Sequence, residues 1–176
     1  MKYIYIIALL TISTLALSQE KTTSLEKSIF NIQTGFVGFW ANNELKLSRS
    51  IALRSEIGIE PIWLVGDGTV WHPNFRLEPR YYYNLEKRLE KGYPINYNSG
   101  NFFGIAINYR PDAVVFSNNK NLKTIESISF VPKWGIRRNL GNHFNYEAGF
   151  GIGLRHEFNY RNYGEFDIHL RIGYSF

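Results

Sequence analysis

The final eleven residues, Phe166-Asp-Ile-His-Leu-Arg-Ile-Gly-Tyr-Ser-Phe176, alternate between apolar and polar with no break from Ile168 onward. Ile168, Leu170, Ile172, Tyr174 and Phe176 share one face, while His169, Arg171, Gly173 and Ser175 share the other. A side-chain period of two belongs to a β-strand and is incompatible with one face of an amphipathic helix. The same period recurs through most of the chain, so the fold expected is all-β.

Residues 144–158 place Ala148, Phe150, Ile152 and Leu154 against Glu147, Gly149, Gly151, Gly153, Arg155 and Glu157. Residues 127–137 place Ile128, Phe130, Trp134 and Ile136 against Ser129, Lys133, Gly135 and Arg137. Phe103, Ile105, Ile107 and Tyr109 align within residues 101–110. Residues 74–84 set Phe75, Leu77, Tyr81 and Tyr83 opposite Arg76, Glu78, Arg80 and Tyr82. Residues 51–65 set Ile51, Leu53, Ile57 and Ile59 opposite Arg54, Glu56 and Glu60. In residues 28–47, Val37, Phe39, Ala41, Leu45 and Leu47 oppose Trp40, Asn42, Glu44 and Lys46. Seven strands are readable in this way, and a bend near Gly35 divides the first region into two, which makes eight. Residues 138–142, with Asn and Gly, form a tight turn. Pro79 and Pro132 fall inside strands, where a missing N–H predicts bulges or displaced boundaries. Residues 84–92 change period: Leu85 and Leu89 stand four apart and Gly92 follows, which predicts a short helix with a glycine C-cap.

Two faces are thus defined, and the next question is which one meets water. The polar face carries opposite charges two residues apart: Glu44/Lys46, Arg54/Glu56, Arg76/Glu78/Arg80 and Arg155/Glu157. Lys133, Arg137, Glu147 and Arg171 complete it. Such charges can pair inside a narrow barrel, as buried charges must. The row Gly149, Gly151, Gly153 on that face leaves room for long side chains from the opposite wall; on a solvated surface it would only weaken the strand. The reading is therefore of a barrel with its apolar face outward and a charged lumen. Residues 1–18 have one Lys, an apolar run and small residues at Ala16 and Ser18, the layout of a secretory signal peptide. A linker over 19–27 and a barrel over 28–176 follow. Cysteine is absent, so disulfides and thiolate metal sites are excluded.

The last strand, ending on Phe176, resembles the C-terminal signal of Gram-negative outer-membrane β-barrels. Residues 28–176 resemble small eight-stranded barrels of the OmpA transmembrane and OmpX-like kind. The resemblance implies an antiparallel up-and-down barrel crossing the outer membrane among its lipids. It also implies insertion by the barrel-assembly machinery through Ile168, Leu170, Ile172, Tyr174 and Phe176. With Phe176 at the periplasmic rim, Tyr81, Tyr83, Trp134 and Tyr146 fall near that rim as an aromatic girdle, and the helix is periplasmic. Residues 66–72, 111–126 and 159–164 become outer loops. Asp67, Trp71, His72, Tyr160 and Tyr163 are the candidates there for recognising an extracellular ligand.

Catalysis is not expected. The Gly149-x-Gly-x-Gly153 run lies within a strand, whereas nucleotide loops join a strand to a helix. The four histidines lack ligand spacing, so neither metal nor cofactor is expected. The net charge of +5 is scattered among acids, which argues against nucleic acid. A monomeric structural or interaction barrel is expected. The alternatives are a narrow channel, a lipid A-modifying enzyme using His156 at the outer rim, and a soluble lipocalin-like binder of an apolar ligand.

Overall fold

Nine strands and one short helix make up the computed structural model, which describes residues 23–176 apart from 65, 66, 120 and 121. The leader expected over 1–18, and residues 19–22 of the expected linker, lie outside the described residues. The strands are β1 (Ser28–Gly35), β2 (Gly38–Lys46), β3 (Ile51–Leu64), β4 (Gly68–Tyr82), β5 (Asn101–Arg110), β6 (Phe116–Ser117), β7 (Ser127–Leu140), β8 (Phe144–Glu157) and β9 (Asn162–Ser175). Helix α1 (Leu85–Glu90) and a 3₁₀ turn (Asn96–Asn98) lie between β4 and β5.

Every pairing is antiparallel, and β6 apart, each strand pairs with the strands before and after it. β9 returns to β1, with Ile32 opposite Tyr174 and the Phe176 N–H donating to the Phe30 carbonyl at 2.9 Å. The single nine-stranded sheet therefore bonds as a ring, which leaves few free edges to attract other chains. Strand β6 stands outside the ring, held to β4 through Val70↔Ser117 and Trp71↔Phe116.

Residues 28–47 divide as the Gly35 bend implies. Gly35 pairs with Gly38, leaving only residues 36–37 in the turn. Gly38 has φ +137, a conformation that favours glycine. The bulges expected at Pro79 and Pro132 do not form. Leu77↔Ile107 and Arg80↔Gly104 flank Pro79 in one register, and Phe130↔Leu154 and Lys133↔Gly151 flank Pro132 in another. Each proline interrupts its ladder locally and shifts nothing, because the partner strand on its other side pairs without a gap.

Strand ends differ most from expectation at the end of the ring away from Phe176. There β3 runs on to Leu64 and β4 starts at Gly68, while β8 and β9 continue to a turn at 158–161. Residues 68–72 of the first expected loop and 162–164 of the last are thus strand, since Trp71, His72 and Tyr163 all lie in ladders. At the Phe176 end, the turn expected over 138–142 sits at 141–143. The helix forms, with Gly92 at φ +74 just beyond it, but only Leu85 of its two leucines is buried.

The ring is apolar outside and polar inside. Phe39, Ile57, Leu77, Phe103, Phe130, Phe150 and Ile168 point away from the ring and are exposed. Arg54, Arg80, Arg137, Glu44, Glu78 and Glu147 point inward and are fully buried. Among the described residues, a buried apolar cluster lies at the Phe176 end. Leu25 of the N-terminal segment packs there on Ala52, Tyr82, Leu85 and Phe102.

Candidate functional site

Alternation turns every second residue of a strand to the enclosed face, most of the strand charges among them, and ring closure brings those faces together. Eight cationic side chains and seven carboxylates form ion pairs inside. Glu147 on β8 is the hub. It accepts from Arg54 Nη1 at 2.8 Å on β3 and from Arg80 Nη2 at 2.7 Å on β4, across the interior from β8. Arg54 also donates to Gln33 and, through Nε, to Glu56 at 3.0 Å. Glu56 accepts from Arg171 Nη1 at 2.8 Å, and Glu78 accepts from Arg80 Nε at 2.8 Å. Two arginines also lie on aromatic rings: Arg80 sits 4.0 Å from the Phe102 centroid and Arg171 3.7 Å from Trp40.

The pairs within one strand are only part of this web. Arg54–Glu56 and Arg80–Glu78 contact directly, and Arg76 lies 3.8 Å from Glu78. Glu44 does not pair with Lys46. It accepts from Tyr82 Oη at 2.8 Å and Asn98 Nδ2 at 2.6 Å, with Arg80 at 3.4 Å. Lys46 lies at the strand end, where its Nζ donates to Ser24 Oγ at 2.7 Å. Arg155 pairs with Glu165 at 3.0 Å instead of Glu157, which sits half-buried at the far rim. Arg155 finds its partner on the neighbouring strand β9, and Glu44 finds its partners beyond β3, on β4 and the 3₁₀ turn. Arg137 donates to Asn31 and Ser175, and Lys133 to Asp167 at 3.1 Å.

Sequence reading placed Glu60 and His169 on the polar face but missed three further members of the web: Arg110, Glu165 and Asp167. Arg110 pairs with Glu165 at 2.7 Å, Arg76 with Asp167 at 3.1 Å, and Glu60 accepts from Trp40 Nε1 at 2.9 Å. Arg110, Glu165 and Asp167 each stand in phase with an inward residue of their own strand, so extending the period to the true strand ends finds all three.

The glycines serve neighbours on adjacent strands, not the opposite wall. Phe102 covers Gly135, Trp40 covers Gly58, His169 covers Gly149 and Lys133 covers Gly151, each from the directly paired position. A Cβ on Gly135 would lie 2.5 Å from Phe102 Cζ. Large side chains lying flat over cross-strand glycines are how the sheet wraps tightly around its own contents.

On the outside, aromatic residues gather toward the Phe176 end. Trp134 Nε1 donates to Tyr83 Oη at 2.9 Å, and Tyr83 lies 5.2 Å from the Phe103 ring. Tyr81 is exposed opposite Ile51, and Tyr146 is half-buried opposite Arg138 and Ile172. Tyr174 contacts Phe144 and Phe176, while Ile168, Leu170 and Ile172 continue its outward face. The expected recognition residues do not form one patch. Asp67 and Tyr160 are exposed on separate turns, Trp71 faces outward on β4, Tyr163 lies half-buried on β9, and His72 is buried on the enclosed face. His156 faces outward, bonded through Nδ1 to Asn162 at 2.8 Å. Among the described residues no cluster of His, Asp or Glu is arranged to hold a metal ion.

No family model, curated protein or solved structure matches this chain.

Proposed function

We propose that the chain is an eight-stranded outer-membrane β-barrel of structural or interaction type, monomeric, with Phe176 at the periplasmic rim. One observation carries this reading: the ring turns its apolar side chains outward and its charges inward. In water that arrangement leaves a broad apolar surface uncovered. In a bilayer the surface is solvated by acyl chains, and pairing around the ring satisfies most of the wall's backbone hydrogen bonds. Spanning needs about 9–11 residues per strand, which β1, β2 and β5 approximate and the longer strands exceed. On this reading β9 is the strand that the assembly machinery engages, and α1 is periplasmic.

The other readings each meet an opposing feature. A lipocalin-like binder turns its apolar face inward, the reverse of this ring. A channel needs a continuous lumen, whereas Glu147 with Arg54 and Arg80 bridges the interior and the Leu25 cluster lies across the Phe176 end. A lipid-modifying enzyme needs a nucleophile beside His156, whose ring instead meets Asn162 and the Phe158 ring.

Gel mobility of the expressed protein from washed outer membranes, with and without boiling, tests the proposal. A membrane fraction whose band shifts on heating is expected. Recovery as a soluble protein without detergent would overturn it.

A further inference from the structure

We propose that the outer half of the interior opens sideways through a gap in the wall and there binds an amphiphile with one anionic head group. The proposal rests on the membrane reading above. The gap follows from strand lengths. Pairing of β1 with β9 ends at Gly35↔Arg171, yet β9 extends to Asn162. Pairing of β2 with β3 ends at Phe39↔Ile59, yet β3 extends to Leu64. Above the turn at residues 36–37, no strand joins β9 to β3 among the described residues. The ring is whole in its lower part and split above this hairpin.

A cavity of about 240 Å³ fills the split. Its outer edges are Trp63 on β3 and Phe166 and Ile168 on β9, three side chains that face the lipid in this reading. Its inner wall sets Arg76, Arg110, Arg155 and Arg171 against the carboxylates of Glu60, Glu165 and Asp167, an excess of one positive charge that a single anionic head group would balance. Arg110 and Arg155 converge on the single carboxylate of Glu165 at 2.7 and 3.0 Å, and Glu60 stands 4.0 Å from Arg110. Arg171 is 3 % exposed, and its Nε has no hydrogen-bond partner. A buried N–H without an acceptor is costly, and an anionic oxygen would supply one. Arg110 and Arg155 also line a second cavity of about 210 Å³ together with Pro111, Thr124 and Ile125, where exposed Lys123 adds a charge.

Pockets for whole small molecules span about 300–1,000 Å³, so the lateral cavity suits a head group whose tail stays outside. The head lies on Arg155, Arg110 and Arg171, and the tail runs over Phe166, Ile168 and Trp63 in the outer leaflet. Entry is from the membrane, because the split faces lipid.

Indole ¹⁵N–¹H signals of the refolded full chain in dodecyl maltoside micelles read this directly. Trp40 and Trp63 line the cavity, and Trp134 lies at the other end of the ring as a reference. Dodecyl phosphate and dodecanoate are the probes, with dodecanol and inorganic phosphate as the uncharged and tail-free arms. Saturable shifts of Trp40 and Trp63 are expected with either anionic probe, at a concentration where dodecanol and phosphate produce none. Arg155→Gln should weaken the apparent affinity about tenfold, the loss of one charge-assisted hydrogen bond. Val37→Trp, which fills the split from the turn, should abolish the shifts while Trp134 stays in place. Equal shifts with dodecanol, with phosphate alone, or at all tryptophans would overturn the site. A chain that passes the boiling test yet shows no saturable shift loses the site and keeps the membrane reading; one that fails the boiling test loses both.

Discussion

Glu147 is the residue on which the interior depends most, because two buried guanidinium groups from different strands share its carboxylate. Glu147→Gln leaves Arg54 and Arg80 without that charge in a site that excludes water. Breaking a buried pair on one side costs about 3–5 kcal/mol, which urea titration of the vesicle-refolded protein would register. Arg80→Gln should cost a similar amount. The double variant should cost less than the sum of the two, since neither charge then remains unpaired. Strict additivity would mean that the two groups do not interact. The cross-strand glycines make a second point at this scale. Gly135→Val drives a side chain into Phe102, so the variant should lose stability by about 1–3 kcal/mol, and Phe102→Leu in the same chain should recover part of it.

At the scale of elements, the β1–β2 hairpin decides whether the ring closes, since β1 is the strand to which β9 returns. Gly38 combines φ +137 with a Cβ position 2.4 Å from the Ile59 carbonyl oxygen, so no other residue fits there. Gly38→Val should therefore lower the heat-shiftable fraction on refolding, and a wild-type yield would contradict this role for the turn. Strand positions and faces were legible in the sequence because period-2 alternation runs through almost every ladder. Residues 28–47 were divisible at Gly35 for the same reason. The far strand ends were not legible. His72 and Tyr163 sit among turn-forming residues, yet tertiary pairing extends β4 and β9 through them. The web of partners was legible only by face. Alternation showed that Glu44 and Arg155 point inward, but whether Lys46 or Tyr82, Glu157 or Glu165 lies nearest depends on register between strands. Register is fixed by the closed ring and not by any single segment.

For the molecule as a whole, the inside-out distribution of polarity is the central claim, and it predicts which tryptophans touch lipid. Trp40 is buried at 3 % exposure, whereas positions 130 and 150 are more than half exposed on the outer face. Three single-tryptophan proteins suffice: one retaining Trp40, and two in which all native tryptophans are Phe and Phe130→Trp or Phe150→Trp supplies the reporter. Each is refolded into vesicles with and without brominated acyl chains, which quench fluorescence only on contact. Strong quenching at 130 and 150, with almost none at Trp40, is the result this account predicts. Quenching of Trp40 alone, or of none of the three, would place the apolar face away from lipid and contradict it.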